Sequence, residues 1–186
     1  MLAQHILTVL EDWRSEFESD RIIAVRDRFP KGHDKDHVRK IFFEIAAQLR
    51  LPAVSFGSCR MVFALDAARV LKVGFSRFGM RANRLEAGAA RDLPRSLHAE
   101  VYEASPDGLW LVQERVTLDR SIDMRRHEAR HLRRDLEMAV GRFIHDFYSG
   151  NVGRKGDGSL VILDLEFLNR LTWPGSDPAA RRYLNV

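Results

Sequence analysis

Apolar residues return at helical intervals along the first fifty positions: Leu2, Ile6, Val9, Leu10, Trp13 and Phe17, then Val38, Ile41, Phe42, Ile45 and Leu49. Each set falls on one face of a 3.6-residue spiral, which predicts two amphipathic helices. The second is opened by Asp34-Lys35-Asp36 and stopped at Pro52. Arg28-Phe29-Pro30-Lys31-Gly32-His33 breaks the pattern between them. The period then shortens. Phe56 to Leu65 and Arg69 to Val73 are nearly continuous apolar runs on either side of Asp66-Ala67-Ala68, and predict two strands joined by a turn. Asn83 to Ala90 suits a short helix. The turn signal Pro106-Asp107-Gly108 implies a strand on each side of it. Leu132, Leu136, Val140 and Phe143 restore the helical interval. Val152-Gly153-Arg154 and Leu160 to Leu163 then flank Lys155-Gly156-Asp157-Gly158-Ser159 and predict a strand pair around a Gly/Asp loop.

Composition sets limits on this picture. The chain has 186 residues, 45% hydrophobic and 30% charged, enough for one domain with two small lobes. It has no apolar run of membrane-spanning length, and Glu11, Asp12, Arg14 and Glu16 come too early for a signal peptide, so a cytoplasmic protein is expected. A single cysteine, Cys59, excludes an intramolecular disulfide and reads as a packed thiol in a reducing compartment. The formal net charge of +4 and a pI of about 9.6 raise the question of nucleic acid. Arg125, Arg126, Arg130, Arg133 and Arg134 supply basic positions on one helix, but Glu128, Asp135 and Glu137 interleave with them. No aromatic series or Cys/His finger accompanies the arginines. That pattern fits a solvated, salt-bridged helix and argues against nucleic-acid binding.

The candidate chemistry lies near the predicted hairpin. Asp146 is followed five residues later by Asn151, and Asp164 closes the apolar run Val161-Ile162-Leu163. Phosphoryl transfer asks little covalent work of a protein; it needs a carboxylate to orient the attacking hydroxyl and hard oxygen ligands to hold Mg²⁺ against phosphates. Asp146 fits the first role, Asn151 and Asp164 the second. A plain turn is the alternative account of Asp146 and Asn151, since both residue types favour turns. Upstream, Lys72 is flanked by strand residues, where its ammonium can neutralise phosphate oxygens. Glu86, on the predicted short helix, would orient Lys72 through an ion pair.

In order and spacing these five polar residues resemble the protein-kinase-like superfamily, in the reduced form of atypical, RIO-type and small-molecule kinases. The short kinase-like proteins of phages and bacteria are the most similar, and the resemblance runs from about Val54 to Phe167. It implies a minimal protein-kinase-like α+β fold in a single domain. An N-terminal helical extension over 1–51 would precede an antiparallel-sheet N-lobe over 52–116 and a truncated helical C-lobe over 117–186. It further implies ATP and Mg²⁺ as cofactors, Lys72, Glu86 and Asp146 as catalytic residues, and Asn151 and Asp164 as metal ligands. Gly57 and Ser58 would line the phosphates, and Gln113, Glu114 and Val116 would face the adenine. The implied activity is ATP-dependent phosphotransfer to a protein or small-molecule acceptor that the sequence does not name.

The departures from that family are specific. Of the three glycines in its phosphate loop only Gly57 is present, with Cys59 and Val62 at the other positions. His145 stands where protein kinases place Arg, and Tyr148 where they place Lys. Asp164-Leu165-Glu166 replaces Asp-Phe-Gly, with Glu166 read as a solvated acid. Twenty-two residues follow Asp164, and Trp173 to Pro178 among them is loop chemistry, which leaves no room for a peptide-holding platform. These departures keep open a noncatalytic kinase-like module that serves protein interaction.

A remote alternative is a zinc hydrolase. His127-Glu128-Ala129-Arg130-His131 matches His-Glu-x-x-His, whose histidines share one helix face with the glutamate as base. The surrounding arginines oppose a cation. The apolar stripe through Leu132 and Leu136 leaves both histidines on the solvated side.

Overall fold

The computed structural model describes residues 2–19, 33–57, 59–118, 122–141, 144, 147 and 149–165. They belong to two compact units, one of residues 1–84 with 102–113 and the other of 85–101 with 114–186. Helices and antiparallel strand pairs together make the fold α+β.

In the first unit the amino-terminal periodicity becomes α1 (Gln4–Asp12), α2 (Arg14–Glu18) and α3 (His33–Leu49). β1 (Ala53–Phe56), β2 (Arg60–Ala64) and β3 (Arg69–Gly74) follow, then α4 (Arg77–Asp92), which passes into the second unit at Leu85, and β4 (Val101–Ala104) and β5 (Trp110–Glu114), whose residues 102–113 belong to the first. The strands form one sheet in the order β1-β2-β3-β5-β4. Ile6, Leu10 and Phe17 from the first two helices and Phe42, Ile45 and Leu49 from α3 are buried in one cluster with Met61, Phe63, Leu71 and Val73 of the sheet. Each such side chain contributes about 1.5–3 kcal/mol relative to exposure. The helices are therefore part of the core that carries the sheet.

Two elements differ from their sequence expectations. The apolar run Phe56 to Leu65 is not one strand: the Gly57 N–H donates to the Arg60 carbonyl at 2.8 Å, a turn that ends β1 and starts β2. The helix expected over 83–90 begins earlier, at Arg77, because Ser76 Oγ accepts the Gly79 N–H at 3.0 Å and so caps its first turn. Gly79 also has a packing reason. A Cβ there would lie 2.0 Å from the Cys59 carbonyl oxygen, so only glycine lets the helix start lie against the β1–β2 turn. Cys59 itself is buried.

The second unit contains β6 (Thr117–Leu118), α5 (His127–Val140), a 3₁₀ turn at Ser149–Asn151, β7 (Val152–Arg154) and β8 (Leu160–Ile162). The predicted Gly/Asp hairpin is formed: Val152 pairs with Ile162 and Arg154 with Leu160, and β6 pairs antiparallel on the far side of β7. Gly158 takes φ +85° in the connecting turn. Along the outer side of β8 the segment 97–99 runs parallel, with Ile162 N–H donating to Leu97 O at 2.9 Å and Ala99 N–H to Ile162 O at 2.8 Å. Leu132 and Leu136 of α5 join Val152, Leu160 and Ile162 in this unit's own core. Gly141 ends α5 in the left-handed conformation, φ 72°. The expected stripe member Phe143 lies outside the described residues.

No helix among the described residues is long and apolar enough to cross a membrane.

Candidate functional site

The strand β3 holds Lys72 opposite Val62 of β2, with only 8% of the residue exposed. Taking an ammonium out of water is costly unless an anion compensates, so a lysine in mid-strand calls for a charged partner or ligand. Its backbone is tied to α4 through Asn83. The wholly buried Asn83 amide donates to the Gly108 carbonyl at 2.9 Å and reaches the Lys72 carbonyl at 3.4 Å. Gly57 is exposed, and its N–H is engaged with Arg60. A Cβ on Gly57 would meet nothing closer than Arg60 O at 4.0 Å, so the fold does not require glycine there. Ser58 lies outside the described residues. Gln113 is buried near the end of β5.

In the second unit Glu86 on α4 is wholly buried. The β7–β8 register brings Asn151 and Asp164 to the same end of the hairpin: Leu163 N–H donates to the Asn151 carbonyl at 2.9 Å, and Asp164 is the next residue. Both are partly buried. Their side chains offer an amide oxygen and a carboxylate, the donor types that suit a hard cation such as Mg²⁺. Asp146, His145, Tyr148 and Glu166 lie outside the described residues.

Ile144, two residues ahead of Asp146, is fixed from α5. Its N–H donates to Glu137 Oε1 at 3.1 Å, its carbonyl accepts from Arg133 at 2.8 Å, and Arg133 and Glu137 pair with each other at 2.9 Å. Sequence reasoning counted both as solvated charges of a basic face. Nothing in the pattern signalled otherwise, because their partner is the backbone of a residue beyond the helix end.

Glu114 joins a polar network. Its N–H donates to Glu100 O at 2.7 Å, and its carboxylate accepts from Glu100 N–H at 3.1 Å and from Lys155 Nζ at 3.0 Å. Val116 lies close to Gly153, where a Cβ would stand 2.9 Å from Val116 Cγ2. His98 is a further buried polar residue that sequence reasoning did not single out. It bonds through Nδ1 to the Ala99 carbonyl at 2.8 Å, while Nε2 has no hydrogen-bond partner among the described residues.

On α5, His127 and His131 are exposed, as the apolar stripe predicted. Glu128 is held by both guanidinium nitrogens of Arg154 at 2.8 Å, and that hydrogen bonding keeps its carboxyl below the usual range. The carboxylate that a His-Glu-x-x-His hydrolase uses as base is thus engaged by a cation. Among the described residues no three His, Cys, Asp or Glu side chains gather as a metal site.

Comparison of the sequence with models of known protein families gives no match, and no curated protein matches it significantly.

Proposed function

We propose that this chain is a kinase-like phosphotransferase that binds ATP with Mg²⁺. The observation that carries the reading is the β7–β8 register, which brings the backbone at Asn151 and at Leu163, the neighbour of Asp164, to one hairpin end. An amide oxygen and a carboxylate carried near one hairpin end are donor types that suit a phosphate-bound Mg²⁺, and both residues follow Asp146 in the chain at the spacing of a kinase-type site. The burial of Lys72 in β3 supports a role for the lysine on the phosphates. Bareness at Gly57 without a packing reason suits a strand turn kept clear for a ligand. Mg²⁺ would supply charge neutralisation on the phosphates. Asp146 would orient the acceptor hydroxyl, and the Glu114 and Val116 backbone would meet the base. The acceptor is a small molecule or a protein.

A second reading, the noncatalytic kinase-like interaction module, is favoured by the N–H groups of Gly57 and Glu114, both already bonded within the chain. Calorimetry with ATP at varied Mg²⁺, followed by turnover, separates the two. Lys72→Met should weaken ATP binding. Asp146→Asn should keep binding and lose transfer, and Asp164→Ala should lose the Mg²⁺-dependent part of the affinity. Absence of nucleotide binding at any Mg²⁺ concentration would sink the catalytic reading and leave the interaction module.

A further inference from the structure

The first turn of α5 presents His127 and His131 to solvent with their Nε2 atoms 2.9 Å apart, ring centroids 4.0 Å apart and planes inclined by 38°. Two imidazole nitrogens at this distance need an electrophile between their lone pairs, either a proton carried by one of them or a metal ion. From these atoms we infer that His127 and His131 form a two-imidazole clip for a divalent transition-metal ion of the copper or nickel class. The clip stands apart from the phosphotransferase reading, and from a zinc hydrolase as well.

The bite of the pair suits such an ion. With metal–nitrogen bonds of about 2.0–2.1 Å, the observed separation subtends about 90° at the ion, whereas tetrahedral zinc needs nitrogens about 3.3 Å apart. Right angles between neighbouring ligands belong to the tetragonal and octahedral geometries of Cu(II) and Ni(II). Glu128 adds no third donor, because Arg154 holds both its oxygens. The remaining coordination positions therefore go to water, and the bound ion exchanges freely. Local charge weakens the site: Arg130 and Arg134 are exposed on the same helix, Arg126 is exposed just before it, and His127 is its first residue, where the helix dipole is positive. Salt screens these repulsions at the surface. The clip should load in solution and empty under a chelating wash.

The test titrates the full chain, free of any histidine tag, with CuCl₂, NiCl₂ and ZnCl₂ by calorimetry. Paramagnetic resonance of the copper form counts the coordinated nitrogens. One equivalent of copper with two coordinated nitrogens is expected, with nickel bound more tightly than zinc. His127→Ala, His131→Ala and His131→Gln should each lower copper affinity at least about tenfold. Because both rings are exposed, these variants should keep the wild-type circular dichroism. His37→Ala, which removes an exposed histidine on α3, should change nothing. Unaltered copper affinity in His131→Ala, an equal loss in His37→Ala, or zinc bound ahead of nickel would each overturn the assignment.

Discussion

Asp107 shows how one residue can serve a turn and a helix together. Its carboxylate accepts the Leu109 N–H at 3.0 Å and pairs with Arg14, bracing the β4–β5 turn against the start of α2. Burial alone would raise its pKa, but the Leu109 N–H and the Arg14 guanidinium outweigh burial and hold it below the ordinary carboxylate range. The reciprocal effect raises Arg14. A folded pKa below the unfolded value of about 3.9 means that the stabilisation is complete above that pH and is lost as pH falls through the folded value. Asp107→Asn should therefore lower the urea midpoint at neutral pH, and the gap from wild type should close progressively between about pH 4 and pH 2. A gap that stays constant across that range would show that the charge is not what matters. The carboxylate was visible in the sequence only as a turn residue. Its partner Arg14 lies 93 positions away, and no local pattern joins them.

The elements that could be read from sequence carry their signal locally. The β7–β8 hairpin was legible because Gly156, Asp157 and Gly158 interrupt two short apolar runs, and its register brings the backbone at Asn151 and Leu163 to one end. α1 and α3 were legible from period alone. The break at Gly57 was hidden by apolar residues on both sides, and the start of α4 by Gly79, a residue that usually weakens a helix. β6, with two residues, has no pattern to detect. Two positive-φ glycines allow a comparison between strain and packing. Gly108 at φ +81° would place a Cβ 1.9 Å from the Met80 carbonyl oxygen, while Gly158 at φ +85° has nothing within 4 Å of that position. Gly158→Ala should cost about 1 kcal/mol for left-handed backbone alone. Gly108→Ala adds a backbone clash and should cost about 2 kcal/mol more, or fail to fold. Equal costs in chemical denaturation would show that the β4–β5 turn yields where the structure has it rigid.

At the scale of the molecule, each unit has its own buried cluster, with Ile45 wholly buried in one and Ile162 in the other. Trimming a methylene from either should cost about 0.5–1.5 kcal/mol. Because the two side chains share no cluster, Ile45→Val and Ile162→Val combined should cost the sum of the single effects to within about 0.5 kcal/mol. A larger deviation in the double variant would reveal energetic coupling between the cores. The division also explains why the candidate site was only partly legible: motif spacing names residues from both units, and spacing along a chain carries no information on the geometry that joins them.

The segment beside β8 has a further consequence for how the protein behaves when crowded. An unpaired strand edge is a template on which other chains assemble into fibrils. Here the outward N–H and carbonyl of Ile162 in β8 are taken by Leu97 and Ala99, and the opposite border of that sheet is the two-residue β6. Among the described residues neither border offers a long ladder to a stranger. Ala99→Pro would remove the N–H that Ile162 accepts and bare the β8 edge. Such a variant should bind an amyloid-sensitive dye after incubation at concentrations where the wild type stays clear, and equal dye binding by both would mean that the edge is guarded by something else.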